Sequence, residues 1–146
     1  MLKETVNDIR KERHDITQED FTPDNICEIM FQNADELYTD FTKTVLDPCC
    51  GIGNLLTYIL RHRMSYCKTA DDIYQSVSTL YGTELMEDNV IECKDNIIKI
   101  LKSSGIKFDM EKVHTILDNN IICTDSNDWN YDDWIPKPKY ESISLF

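Results

Sequence analysis

The sequence has few residues that bend a chain and few that carry positive charge. Of its 146 residues, 4 are glycine and 4 are proline, and 15 lysines and arginines stand against 27 aspartates and glutamates, for a net charge of −12. Because phosphate backbones are bound largely by lysine and arginine, this balance argues against tight, non-specific DNA binding by the chain alone. The short basic clusters RKERH (residues 10–14) and RHR (residues 61–63) are interpreted as solvated helix faces.

Long apolar runs and cysteine pairs with metal-ligand spacing are also missing. No stretch could span a bilayer, and the charged start MLKETVNDIRKERHD is unlike a signal peptide. We therefore expect a cytoplasmic protein that has no membrane as a partner. The six cysteines form no CxxC pair and no cysteine–histidine cluster, which predicts reduced, mostly buried thiols. His14, His62 and His114 are scattered, and we predict no catalytic or metal site around them.

What is present indicates one domain, residues 1–146, with an N-terminal helical segment (1–40) and a βαβ core (41–146). Strands are predicted from KTVLDP (43–48), TLYGTEL (79–85), NNIICTD (119–125) and the tail YESISLF (140–146). Helices are predicted from FTPDNICEIMFQNADELY (21–38), GNLLTYILRHR (53–63), TADDIYQSVS (69–78) and EDNVIECKDNIIKILKSSG (87–105), where Gly105 is the expected stop. Strands that alternate with helices predict a parallel sheet built from βαβ units.

The segment VLDPCCGIGN (45–54) places two of the four glycines, Gly51 and Gly53, behind Asp47 and a proline. It follows a predicted strand and opens a predicted helix, which is where an open α/β sheet binds its ligand. Glycine lets the backbone turn sharply and approach a ligand closely. The full GxGxxG dinucleotide fingerprint is missing, but the position behind a strand and Asp-Pro favours a ligand site.

Two further acids are predicted at equivalent positions of the next strands. Glu84 ends the second strand, where a carboxylate can accept hydrogen bonds from both ribose hydroxyls of a nucleoside. Asp125 ends the third strand, where a carboxylate can accept one from an exocyclic amine such as that of adenine. Singly, Asp47 could be a turn residue and Glu84 or Asp125 a solvated acid. Together they favour one pocket edge.

Four segments in chain order resemble the cofactor-binding motifs of amino-group DNA methyltransferases: FTP (21–23), VLDPCCGIGNLL (45–56), YGTELMEDNV (81–90) and IICTDS (121–126). The similarity is greatest to the adenine-N6 type of restriction–modification systems and covers about residues 21–125. It implies a Rossmann-like class I methyltransferase fold, truncated to a mostly parallel sheet of about four strands with helices on both faces. It also implies S-adenosylmethionine, or its product S-adenosylhomocysteine, as the ligand.

The resemblance assigns parts of that ligand to numbered positions. Thr22 and Pro23 cover the methionine end, although a plain helix start explains this pair equally well. Asp47 and the glycine loop hold the amino acid moiety, Glu84 takes the ribose, and Asp125 takes the adenine amine. The full implied set is Thr22, Pro23, Asp47, Pro48, Cys49, Gly51, Gly53, Asn54, Glu84, Leu85, Asp125 and Ser126.

The chain departs from the family in the motif that performs the reaction. These enzymes carry an (Asn/Asp/Ser)-Pro-Pro-(Tyr/Phe) motif that grips the target amine and stacks on the flipped base. The sequence contains no Pro-Pro, and it stops where that motif is expected, after the tail strand. We therefore predict no catalytic residue in this chain, and DNA as a partner only through a missing C-terminal part or a partner subunit.

Three functions stay open. The chain could be the cofactor half of a truncated or split methylase. It could be a non-catalytic, restriction-related regulator or inhibitor that acts through protein partners. It could also bind a partner through its acidic surface with a vestigial pocket, which the three strand-end acids disfavour. A protein partner or a homodimer is expected at an exposed sheet edge. For TDSNDWNYDDW (124–134), a loop with packed aromatic residues is favoured over a partner-binding patch.

Overall fold

The chain order of the elements follows the predicted alternation of strands and helices. The structure is a computed structural model that describes residues 35–138. Its elements are α1 (Asp35–Thr39), β1 (Val45–Asp47), α2 (Asn54–Met64), α3 (Ala70–Ser78), β2 (Leu80–Glu84), α4 (Glu87–Ser103), α5 (Met110–Asn120), β3 (Ile121–Cys123), a 3₁₀ helix (Ser126–Asp128), β4 (Trp129–Asn130) and β5 (Ile135–Pro136).

Strands β1, β2 and β3 form one sheet in that order, and both pairs are parallel. This confirms the predicted α/β class and the parallel sheet. The described residues hold three strands of this sheet, whereas about four were predicted. The fourth, residues 140–146, lies outside the described residues, as does most of the predicted helix 21–38, whose last residues, 35–38, are helical in α1.

The helices form where apolar residues recur at helical spacing. In α4, Val90, Ile97, Ile98 and Leu101 are buried along one side, as the sequence predicts, and Cys93 is buried with them. Gly105 follows with a φ of 73°, the left-handed conformation that commonly ends a helix. None of the helices within residues 35–138 is both long and apolar enough to cross a membrane.

Helix α5 was not predicted. Asp109 accepts a hydrogen bond from the Glu111 amide at its start, and Val113 and Leu117, four residues apart, are fully buried. At its end, the Asn120 side chain donates to the Ser78 carbonyl at the end of α3. The capping residue and the apolar spacing are both visible in the sequence, so this helix could have been found.

The two faces of the sheet are covered differently. Gly82 faces α2, because a Cβ there would lie 3.3 Å from the Leu56 side chain. Tyr81 points to the second face, where its ring meets Trp134 at 4.8 Å between centroids. We call residues 126–136 the crossing segment, since they carry the chain from β3 over this second face. Helices on both faces were predicted, but at Tyr81 the cover is an irregular segment, as the loop interpretation of residues 124–134 proposed.

Arg63 corrects the prediction that the RHR cluster is a solvated face. Arg61 and His62 are exposed, but Arg63 is completely buried. Its guanidinium donates to four oxygens at 2.7–2.8 Å, the carbonyls of Leu37, Lys43 and Ser76 and the hydroxyl of Thr79. These bonds tie the end of α2 to α1, α3 and the start of β2, so this arginine joins elements of the fold.

Candidate functional site

The glycine loop, residues 47–53, connects β1 to α2 at the carboxyl end of the sheet. Gly51 and Gly53 have φ values of 55° and 90°, which side chains other than glycine rarely adopt. At Gly53 a Cβ would also lie only 2.7 Å from the Cys93 sulfur. The Gly53 amide donates to the Cys50 carbonyl at 2.8 Å, which closes the turn. The loop therefore needs glycine for both conformation and space.

Contacts from two other elements hold the loop. In β2, the Thr83 carbonyl accepts from the Cys50 amide at 3.0 Å, and the Thr83 hydroxyl donates to the Pro48 carbonyl at 2.7 Å. In α4, the Asn96 amide group donates to the Ile52 carbonyl at 2.9 Å. The loop is thus held from the sheet and from a helix before any ligand arrives.

Sequence reasoning missed Thr83 and Asn96 as site residues. The Thr83–Pro48 and Asn96–Ile52 contacts join residues 35 and 44 positions apart, so no local motif contains both partners. Thr83 does lie inside the recognised segment TLYGTEL, and a small hydroxyl residue in the middle of an apolar strand is the one signal that was available.

Asp47 ends β1 and is largely enclosed by the loop. One of its carboxylate oxygens accepts a hydrogen bond from the Cys49 amide at 3.1 Å. Burial raises the pKa of Asp47, the hydrogen bond from Cys49 opposes this rise, and the nearby charge of Glu84 adds to it. Two negative carboxylates in a partly desolvated corner favour a cation beside them.

Glu84 ends β2 and is 7% exposed. Its Oε2 accepts from the Met86 amide at 2.7 Å and from the Asn89 side chain at 3.4 Å. Both donors lie at the start of α4, so Glu84 also stabilises that helix start, where negative charge is favourable. The structure accordingly gives Glu84 a structural role beside the predicted role in ribose binding.

Asp125 lies two residues after the last residue of β3 and is exposed. Its Oδ1 accepts from the Asn127 amide at 2.9 Å and so caps the 3₁₀ helix. The exposure of Asp125 fits the solvated acid that was the alternative to ligand binding, and the capping contact is a role that the sequence analysis did not assign to it. The neighbouring Ser126 carbonyl accepts from the Tyr131 hydroxyl at 2.9 Å.

The strand register places the three acids on a diagonal. Asp47 is paired with Gly82, two residues before Glu84, and Glu84 is paired with Cys123, two residues before Asp125. At about 3.3 Å per residue along a parallel strand, Glu84 lies about 6.6 Å further outward than Asp47, and Asp125 follows beyond the end of β3. The arrangement suits an elongated ligand that crosses the strand ends better than a compact one.

The other predicted residues are distributed around this edge. Pro48 and Cys49 are exposed in the loop, Asn54 is the first residue of α2, and Leu85 is 57% exposed beside Glu84. Thr22 and Pro23 lie outside the described residues. Within residues 35–138, no three histidine, cysteine, aspartate or glutamate side chains group as metal ligands. The five cysteines described there are free thiols.

Comparison with protein families gives one match. A model of the N-6 DNA methylase family matches residues 8–140, which is most of the chain and includes every segment of the candidate site. Searches of curated proteins and of solved structures find no significant match.

Proposed function

Because this chain belongs to the N-6 DNA methylase family, we propose that it binds S-adenosylmethionine at the carboxyl end of its sheet. The glycine loop and Asp47 hold the methionine end, Glu84 holds the ribose, and Asp125 with Ser126 holds the adenine end. The family resemblance assigns Thr22 and Pro23, which lie outside the described residues, to the methionine end as well. When bound, this cofactor supplies a methyl group on a positively charged sulfur.

The observation that carries the proposal is the loop held in place around Asp47. The pKa of Asp47 is raised by burial and by the charge of Glu84. A positively charged ligand group beside these two carboxylates therefore stabilises the ionised form of Asp47. S-adenosylmethionine brings an ammonium group and a sulfonium, and its length suits the diagonal of acids. The residues present therefore fit the cofactor of the family.

The proposed fold is a Rossmann-like sheet, within a single domain of residues 1–146. After β3 at one edge, the crossing segment passes over β2 and borders a cavity together with Thr44 and Leu46 of the β1 region. The crossing segment thus brings the chain towards the edge of β1 opposite to β2, and the fourth strand predicted from residues 140–146 lies outside the described residues. A strand that pairs with this edge reverses the strand order at β1, and such reversals are where open α/β sheets bind ligands.

For the reaction, we propose that the chain is the cofactor half of a truncated or split methylase. The sequence holds no Pro-Pro and hence no (Asn/Asp/Ser)-Pro-Pro-(Tyr/Phe) motif. A partner subunit then provides the target-base and DNA contacts.

The second candidate, a non-catalytic regulator that acts through protein partners, is favoured by two exposed apolar residues, Leu46 at 41% and Ile135 at 51%.

Calorimetric titration of the full chain with S-adenosylmethionine and S-adenosylhomocysteine tests the binding proposal. We expect both ligands to bind, and Asp47→Ala and Glu84→Ala to weaken binding by about ten- to hundredfold, as expected for a lost charged hydrogen bond. Asp95→Ala, which removes an exposed acid of α4, is the matched control and should bind normally. The absence of binding heat with either ligand, on protein shown to be folded by circular dichroism, contradicts the proposal.

A further inference from the structure

Tyr131 connects the two ends of the proposed site. Its hydroxyl lies 2.9 Å from the Ser126 carbonyl, next to Asp125, and 3.1 Å from the Thr83 hydroxyl. Thr83 in turn donates to the Pro48 carbonyl at 2.7 Å, next to Asp47. A short series of hydrogen bonds therefore runs from the proposed adenine end, through Thr83 of β2, to the proposed methionine end.

The direction of these bonds follows from the number of protons. The Thr83 hydroxyl has one proton, and the Pro48 carbonyl can only accept, so Thr83 donates to Pro48. Tyr131 then donates, and its single proton is shared between the Thr83 oxygen and the Ser126 carbonyl. Removal of the tyrosine hydroxyl thus weakens both branches at once.

The ring of Tyr131 is held in place independently of its hydroxyl. It lies 6.1 Å from the Trp134 ring, which itself packs edge-on against Tyr81 of β2. Trp134 has a φ of 56°, an uncommon value for a residue with a side chain, and its indole N–H donates to the Asn119 carbonyl. The crossing segment is therefore fixed to the sheet by several contacts, and phenylalanine at position 131 keeps the ring packing.

We infer that Tyr131 is a positioning residue that sets the separation between the adenine end and the methionine end of the cofactor site. The inference rests on the proposed function. A ligand that spans both ends gains affinity only when the two half-sites are at the right separation, because its two halves are covalently joined. A ligand that occupies one half-site has no such requirement.

The test compares a spanning ligand with its two halves. Wild-type chain and Tyr131→Phe are titrated with S-adenosylhomocysteine by calorimetry, and with adenosine and methionine separately by ligand-observed NMR. We expect the dissociation constant for S-adenosylhomocysteine to rise about three- to tenfold, the effect of one lost hydrogen bond. The dissociation constants for adenosine and methionine should stay unchanged. Tyr66→Phe, at an exposed tyrosine after α2, is the matched control.

Variants of Thr83 examine the same connection from its other end. Thr83→Val keeps the shape and removes the hydroxyl that also holds the glycine loop, so we expect weaker binding of S-adenosylhomocysteine and of methionine, with adenosine unchanged. Thr83→Ser keeps a hydroxyl and should restore most of the affinity. Thermal unfolding of each variant separates a local effect from a general loss of the fold.

Three outcomes contradict the inference. Unchanged affinity of Tyr131→Phe for S-adenosylhomocysteine shows that the hydroxyl has no part in binding. An equal loss for adenosine or methionine shows that Tyr131 serves one half-site and does not set their separation. If the wild-type chain binds none of the three ligands, the proposed function fails, and this inference fails with it.

Discussion

The ionised carboxylate of Asp47 lowers the stability of the folded chain when no cation lies beside it. Burial and the charge of Glu84 raise its pKa, which means that the folded state holds its proton more tightly than the unfolded state does. As the pH rises through the interval between the ordinary pKa of 3.8 and the raised folded value, stability is lost. The penalty is complete once the pH lies above the raised folded pKa, and it disappears below the ordinary pKa.

We therefore predict that Asp47→Asn makes the ligand-free protein more stable at pH 7 while it weakens S-adenosylhomocysteine binding by about tenfold or more. Asparagine can still accept the Cys49 amide hydrogen bond, but it carries no charge. The gain in the free energy of unfolding, measured by urea denaturation, should shrink as the pH is lowered towards 4. Asp95→Asn, at an exposed position, controls for the change in net charge. Lower stability of Asp47→Asn at neutral pH contradicts this account.

At single positions the sequence was informative where a motif was local. Asp47 and the two glycines were located because strand, acid and turn are contiguous, and Gly53 indeed has the conformation that its residue type suggests. Arg63 was assigned wrongly, because its four acceptors come from separate parts of the chain. Thr83 was missed for the same reason. Roles that depend on distant partners are not encoded in local spacing.

At the level of elements, β2 is the strand that positions the site. It pairs with both neighbouring strands, ends in Glu84 and holds the glycine loop through Thr83. Its Gly82 leaves room for Cys50 of that loop, because a Cβ there would lie 2.8 Å from the Cys50 sulfur and 2.9 Å from its Cβ. The packing of β2 and the geometry of the loop are thus coupled at one glycine.

We predict that Gly82→Ala destabilises the fold by about 1–3 kcal/mol through overpacking and displaces the glycine loop, so that S-adenosylhomocysteine binding also falls. Gly105→Ala is the matched control. It meets no atom within 4 Å, but its φ of 73° strains any side chain, at about 1–2 kcal/mol. Urea denaturation should show comparable losses for both variants, and calorimetry a binding loss for Gly82→Ala alone. Equal binding by the two variants contradicts the coupling.

The elements themselves were mostly predictable, since apolar spacing repeats within each one. Helices α2, α3 and α4 lie where that spacing placed them, and the three parallel strands were found, although β1 and β3 are shorter than the apolar segments suggested. Helix α5 was overlooked despite its capping aspartate. The cover of the second face was not predictable in detail, because the crossing segment is shaped by aromatic contacts with β2.

For the whole molecule, the excess of acids and the missing Pro-Pro motif lead to one prediction. The isolated chain should transfer no methyl group from tritiated S-adenosylmethionine to DNA, even at low salt, where weak phosphate contacts are strongest. An established adenine-N6 methyltransferase assayed in parallel serves as the positive control. Incorporation by the isolated chain at enzyme-like turnover contradicts the prediction.

A second experiment distinguishes the split methylase from the regulator. If a neighbouring reading frame encodes a protein with an Asn-Pro-Pro-Tyr/Phe motif, addition of that protein should restore methyl transfer by a split methylase but not by a regulator.

The open side of β1 has a consequence for behaviour in solution. Among the described residues no strand pairs with that edge, and Leu46 beside it is 41% exposed. Free strand edges invite pairing between copies, but molecules that each carry a net charge of −12 repel one another at neutral pH. Near the isoelectric point of about 4.5 this repulsion vanishes. Mildly acidic buffers should therefore bring the colloidal stability of the protein to its minimum.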